Sequence, residues 1–241
     1  MPTQVAFPIM DSRSTPPPSF PAASLMVALL CTGGSLMVAA AGWQWGAVPS
    51  AAGWWTRVWL YVNLAMGFLW FLAWPVLARR PNADRQTLGL VIRWLGMALG
   101  CFPALWLAFY FGSPPAGPLW QCLAMQLCWA IFAFGIVAMA AQCGDGGTAA
   151  TGMLSFLYLM GPLLSYIVAE FTQVSHVWFG FAPPVDLFAA AHGSGNSALI
   201  WAGSFGVIGL LLTGWTVGRH FAQSSRDQGL LPTQPSARPE R

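Results

Sequence analysis

Six apolar runs follow one another along the chain, each long enough to cross a bilayer and separated only by short linkers. A crossing takes about 20 apolar residues to cover about 30 Å of hydrocarbon. The runs are Ala23 to Ala41, Val58 to Ala78, Leu88 to Phe111, Leu119 to Ala141, Thr151 to Glu170 and Ala198 to Gly218. Lipid offers no partner for a backbone N–H or C=O, so those bonds must close within each segment, and each run must be a helix. A β-barrel would need alternation with period two, and these runs are apolar throughout. Charged residues make up 7% of the chain, against about 25% in soluble domains, too few to cover a surface facing water. The sequence therefore predicts an all-α polytopic membrane protein with about six transmembrane helices.

The flanks and linkers set the organisation. Met1 to Ala22 is polar and carries three consecutive prolines, which exclude a helix; it reads as a disordered cytosolic tail. Residues 23–220 form one transmembrane domain, and 221–241, polar and Pro-containing, read as a second disordered tail. The linkers Gly42 to Thr56, Gly112 to Pro118 and Gln142 to Ala150 leave no room for a soluble domain. All ten cations are arginine. With six crossings, Arg13, Arg79, Arg80, Arg85, Arg219, Arg226, Arg238 and Arg241 share one side, and Arg57 stands alone on the other. Arg93, just inside the third run, is placed to snorkel to the arginine-rich face. The excess of arginine marks the cytosolic side, so both termini are expected there, in the inner (plasma) membrane. Trp43, Trp45, Trp54, Trp55 and Trp59 are expected to form an aromatic belt at the opposite boundary.

One stretch breaks the pattern. Val174 to Ala191 is aromatic and apolar but interrupted by Gly180 and by Pro183-Pro184. It is too apolar for a solvated loop and too short to cross twice. A seventh crossing would also separate the arginine-rich tail from the arginine-rich loop. The segment is expected to enter the external leaflet and return, its break set by the prolines. Glu170, His176, Pro183, Pro184 and Asp186 are the candidate external gate; a packed plug is the alternative. A carboxylate inside lipid is costly, so Glu170 reads either as a proton or cation site or, more plainly, as an interfacial group reaching water. Pro75, Pro103 and Pro162 lie within runs and permit kinks, while Gly203, Gly206 and Gly209 suit close helix packing.

Several chemistries find no support. The chain has no lysine, so a Walker phosphate loop is excluded, and GxSxG is absent. His176, His192 and His220 show no HxxxH or HExxH spacing, and no cofactor, haem or metal is expected. The five cysteines include no CxxC and read as small buried hydrophobes; Cys122 and Cys128, six apart, should not share a helical face. A net charge of +3 is too dispersed to indicate nucleic acid. No catalytic set is visible, and the chain does not read as an enzyme.

Two stretches carry a resemblance. Ala83-Asp84-Arg85-Gln86-Thr87-Leu88-Gly89-Leu90 opens the third run, and Phe181-Ala182-Pro183-Pro184-Val185-Asp186-Leu187-Phe188 precedes the sixth. They resemble the membrane subunits of ABC-2 type ABC transporters, which carry a charged turn before the third helix and an apolar, Pro-containing segment between the fifth and sixth. Gly89 stands where that family usually has glutamate. The resemblance implies a permease-like subunit working with a separate cytosolic ATPase, contacted through Arg79, Arg80, Asp84, Arg85 and Thr87. It also implies a second membrane subunit, identical or not, completing the path. A non-catalytic anchor or assembly subunit of a larger complex is the alternative, and a redox or metal enzyme using the histidines is a further one.

Overall fold

In the computed structural model of the chain, residues 22–44, 51–78, 87–112, 116–142, 146–172, 182–191 and 196–229 are described, and all of them except Ala182 are helical. The elements are α1 (Ala22–Gln44), α2 (Ala51–Phe68), a π-helical turn (Leu69–Ala73), α3 (Trp74–Ala78), α4 (Thr87–Gly112), α5 (Ala116–Gln142), α6 (Gly146–Thr172), α7 (Pro183–Ala191) and α8 (Asn196–Gly229). α2, the π-turn and α3 form one continuous rod. Five helical stretches are long and apolar enough to cross a bilayer: Arg57–Ala78, Gly89–Tyr110, Ala116–Gln142, Gly147–Ile167 and Asn196–Arg219. α1 is apolar from Ala23 to Val38, and its 23 residues reach about 34 Å at about 1.5 Å each. The chain is an all-α polytopic membrane protein.

Large apolar side chains point outward from most of these helices, among them Leu99, Trp106, Leu127, Tyr166, Ile200 and Leu211. In water such a surface would drive aggregation; in lipid it is the solvated face. The interior is equally apolar and rich in aromatic rings. Phe71 packs on Trp129 and Tyr158 at 6.0 and 5.7 Å between centroids, and Trp74 stacks on Phe134 at 6.2 Å.

Specific contacts fix the helix directions. α5 and α8 touch at Gln121 and Asn196, at Cys128 and Gly206, around Phe132, Gly135 and Gly209, and at Gln142 and Thr216. Both sequence numbers rise together, so the two helices are parallel. α2 and α5 behave likewise: Cys122 sits beside Trp59, Gln126 bonds to Asn63, and Phe71 packs on Trp129. α2, α5 and α8 therefore cross the bundle in the same sense. α7, between α6 and α8, has nine residues, and at about 1.5 Å each that is half a bilayer core at most. It is not a span. This alternation is the one the arginine distribution needs. Reporter fusions at Ser113 and Gly147 are expected on opposite sides, Ser113 external; a shared side would refute the arrangement.

Glycine at the α5–α8 crossing is a steric requirement. A Cβ on Gly209 would lie 2.6 Å from the Ile131 carbonyl oxygen, and one on Gly135 would lie 2.5 Å from the Gly209 carbonyl oxygen. Of the predicted glycine face, Gly206 and Gly209 meet α5 as expected, but Gly203 has nothing within 4 Å of a built Cβ and plays no part. α1 docks on α4 by the same device, with Gly100 against Leu25 and Ala28.

Other expectations are corrected. Trp59 is not a belt residue but is 1% exposed within the core, because it faces α5 rather than lipid. Trp45 lies outside the described residues, as do the side chains of Trp43, Trp54 and Trp55. Arg93 is buried rather than extended towards water. The linkers shorten. α5 begins at Ala116, since a proline such as Pro118 is tolerated in a first turn, where its missing N–H is not needed. α6 begins at Gly146. α8 runs past the sixth apolar run to Gly229, so 221–229, expected as disordered tail, is helical; once nucleated, a helix propagates through ordinary polar residues such as these. Arg219 lies over the Trp215 ring at 5.1 Å, a cation and an aromatic paired at the end of the span.

Candidate functional site

α7 is the element around which a site can be built. Its first two helical residues are Pro183 and Pro184, which have no N–H to satisfy and whose φ is already helical. The next two N–H groups, of Val185 and Asp186, both donate to the Ala182 carbonyl, at 2.8 and 3.0 Å. A helix start normally leaves several donors bare. From Pro183 to Asp186 this one leaves none, so the helix can begin in apolar surroundings without a side-chain cap. The prolines, expected to break the segment, open a helix. Residues 173–181, His176 and Gly180 among them, lie outside the described residues.

The depth of α7 follows from its neighbours. Pro183 closes a cavity of about 10 Å³ with Phe71, Trp129, Phe132, Leu157 and Phe205. Trp129 and Leu157 stand at the centres of the spans Ala116–Gln142 and Gly147–Ile167. The helix therefore starts in the middle of the bundle. From there it climbs towards the end at which α2 begins, because Pro184, Val185 and Phe188 line a cleft of about 280 Å³ with Leu60 and Leu64. α7 is a re-entrant half-helix with two unlike faces. Pro183, Asp186, Leu187, Ala190 and Ala191 are buried against the bundle, at helical spacing. The other face lines the apolar cleft, with Phe188 exposed. The inner cavity is at the lower limit for one water and has apolar walls, so that contact is dry.

The predicted gate residues divide accordingly. Pro183 and Asp186 are buried, and Pro184 lines the cleft. Glu170 is exposed, two residues before the end of α6, as an interfacial carboxylate should be. His176 and His192 lie outside the described residues, and of His220 only its place in α8 is described. Arg79, Arg80, Asp84 and Arg85 also lie outside them, and Thr87 is described only as the first residue of α4. Burial pushes the Asp186 carboxyl up to about 7 from its usual 3.8, in a helix too short to be a span. Among the described residues no group of three or more metal-ligating side chains exists. Cys31, Cys101, Cys122 and Cys128 are free and buried or partly buried; Cys122 faces α2 and Cys128 faces α8, as their spacing required.

A polar seam inside the bundle was not foreseen. Asn63 and Gln126 are 1% and 3% exposed. Gln126 Nε2 donates to the Asn63 carbonyl at 2.7 Å, Asn63 Nδ2 donates to the Trp59 carbonyl at 2.8 Å, and the Tyr158 hydroxyl donates to the Leu64 carbonyl at 2.7 Å. Two neighbouring helices thus bond to the backbone of α2 just before its π-turn, a place where insertions into the ladder are common. The amide oxygens Asn63 Oδ1 and Gln126 Oε1 are left without a donor. The signal was present: each is an amide inside an otherwise apolar span, and such residues bond across helices. Tyr158→Phe is expected to cost about 0.5–1.5 kcal/mol, since the ring stack on Phe71 survives; an unchanged unfolding midpoint would show that the bond contributes nothing.

No family model, no curated protein and no solved structure matches the chain. Fold and site together define a class, a polytopic helical membrane protein with a re-entrant half-helix seated in its bundle.

Proposed function

We propose that the chain is a permease-like membrane subunit of a transporter for an apolar or amphiphilic solute, resident in the inner (plasma) membrane with both termini cytosolic. The observation that carries the reading is α7: it begins at mid-bundle, and its outer face lines a cleft walled by Leu60, Leu64, Pro184, Val185 and Phe188. Such walls suit an acyl chain or a similar apolar group and offer no ligand to a hydrated ion. Half-helices near the midplane are also how many carriers build their substrate sites.

In this reading a cytosolic ATPase supplies the energy, meeting the segment Arg79, Arg80, Asp84, Arg85 and Thr87, and a second membrane subunit completes the path. The test is to isolate the tagged chain from its native membrane and reconstitute what accompanies it. An ATPase that co-isolates, with ATP-dependent movement of a fluorescent phospholipid across the vesicle, is the expected result. Isolation in a large complex without any ATPase would instead favour an anchoring or assembly subunit, a reading that the dry contact under Pro183 and the close α5–α8 crossing also support.

A further inference from the structure

Two carboxylates have described side chains. Glu170 is exposed, whereas Asp186 is 8% exposed. Asp186 lies on the face of α7 that carries Pro183, Leu187 and Ala190, turned to the bundle, where α2, α5, α6 and α8 all pack against the half-helix. No hydrogen bond or ion pair reaches its carboxyl from the described residues. Nor do the described side chains of those helices offer it a cation. On α2, Arg57 and Tyr61 are exposed; on α8, Arg219 is exposed and lies over Trp215. On α5, Cys122 sits beside Trp59 and Cys128 against Gly206. On α6, Tyr158 is committed to the Leu64 carbonyl, and Tyr166 and Glu170 are exposed.

A carboxylate in such a place has lost most of its water and gained no counter-charge, which disfavours the anion and not the neutral acid. The acid also has what the anion lacks, a donor. Oxygens in want of one, Asn63 Oδ1 and Gln126 Oε1, sit on α2 and α5, the helices flanking α7. By register they lie on the side of Phe71 and Trp129 towards which α7 climbs. On the opposite face of α7 the 280 Å³ cleft leaves space into which the half-helix can move.

We propose that the inner face of α7 is a proton-binding site, in which Asp186 carries a proton while the half-helix is docked and gives it up when the half-helix swings towards the cleft. The step is a simple exchange: the O–H bond of the carboxyl breaks, the proton passes to water that enters the space the half-helix leaves on its inner face, and the charge is left on the carboxylate. With the docked value at about 7 and the solvated one at 3.8, the docked state binds the proton more tightly. The proton's contribution to docking is therefore full below the solvated value. It weakens about tenfold for each pH unit from there up to the docked value and is level above it. The inference does not depend on an ATPase or on any solute, and its test does not measure transport.

The full chain in lipid nanodiscs is followed by hydrogen–deuterium exchange at about pH 5 and about pH 8, either side of the docked value. Asp186→Asn, which keeps the shape and cannot ionise, corrects for the intrinsic rate. The ratio of wild-type to variant protection in α7 is expected to fall about tenfold or more between the two conditions, while the ratio in α5 stays constant. Infrared spectra at the lower pH should show a protonated-carboxyl band that the variant lacks. Should the variant not accumulate, Asp186→Glu serves for the spectrum, since it keeps the carboxyl and displaces its band, and wild-type α7 protection, corrected by that of α5, then stands for the ratio. Equal α7 ratios at both pH values, or a carboxyl band that neither substitution alters, would overturn the proposal.

Discussion

Gly209→Ala is expected to unseat α8 from α5 and to lower stability by about 3 kcal/mol or more. The added methyl would lie 2.6 Å from both the Ile131 carbonyl oxygen and Phe132 Cα, and 2.7 Å from the Ile131 carbonyl carbon. All three are backbone atoms of a regular helix, so no side-chain rotation relieves the clash. The helices must separate, and separation breaks the Gln142 bond to the Thr216 carbonyl, 2.9 Å long, and the ring contact of Phe132 with Phe205 at 5.0 Å. Gly203→Ala is the matched control: it lies six residues earlier on the same helix, with nothing within 4 Å of the new methyl. It should be neutral or slightly stabilising, since alanine is the better helix former by about 1 kcal/mol. Thermal unfolding of the two variants in one lipid or detergent system decides the matter, and equal midpoints would refute the steric account.

The second large effect is expected from replacing both Pro183 and Pro184 with alanine. The double substitution gives α7 two N–H groups that it now lacks, at a buried start whose nearest carbonyl, that of Ala182, already accepts from Val185 and Asp186. Each unsatisfied buried donor costs about 1–3 kcal/mol, and greater freedom of the unfolded chain adds about 0.4–1 kcal/mol per proline lost. Pro184→Ala alone should be milder, because that ring lines the cleft. Unfolding curves should show the loss, and a double variant within about 0.5 kcal/mol of wild type would mean that the new donors find partners. The folded fraction then separates two roles for α7. If it moves as a gate, phospholipid movement per reconstituted molecule changes; if it is a fixed plug, that rate is unaltered.

The fold was legible where one physical demand dominated. Apolar length over runs such as Leu119 to Ala141 left no alternative to a helix, and Pro183-Pro184 could not continue one. The exact ends were not, since polar residues after Arg219 carry no stop signal before Gly229 and Pro118 is compatible with a first turn. The interior was harder to read, because an apolar span shows no contrast between its lipid face and its protein face. Trp59 and Arg93 were misplaced for that reason, and a glycine such as Gly203 looks the same in sequence as Gly209. Of the site, Asp186 was singled out, but its burial depends on how four other helices close around α7. Asn63, Gln126 and Tyr158 are joined only by tertiary contact.

The π-turn at Leu69–Ala73 gives α2 and α3 a phase shift. Five residues share a loop of ladder in which the Trp74 N–H reaches back to the Leu69 carbonyl, one residue more than an α-helix uses. Everything after the turn is rotated by about 100° relative to an unbroken helix. The first half of the rod can thus aim Trp59 and Asn63 at α5, while the turn itself presents Trp70 to Trp94 of α4 and Phe71 to Trp129 and Tyr158, and Trp74 beyond it stacks on Phe134. Deleting one residue within the turn would restore a regular ladder and put those rings out of register, whereas an equal deletion in the polar stretch beyond Gly229 would disturb none of these contacts. The rod is two recognition surfaces joined by a fixed angular offset, and one surplus residue encodes that offset.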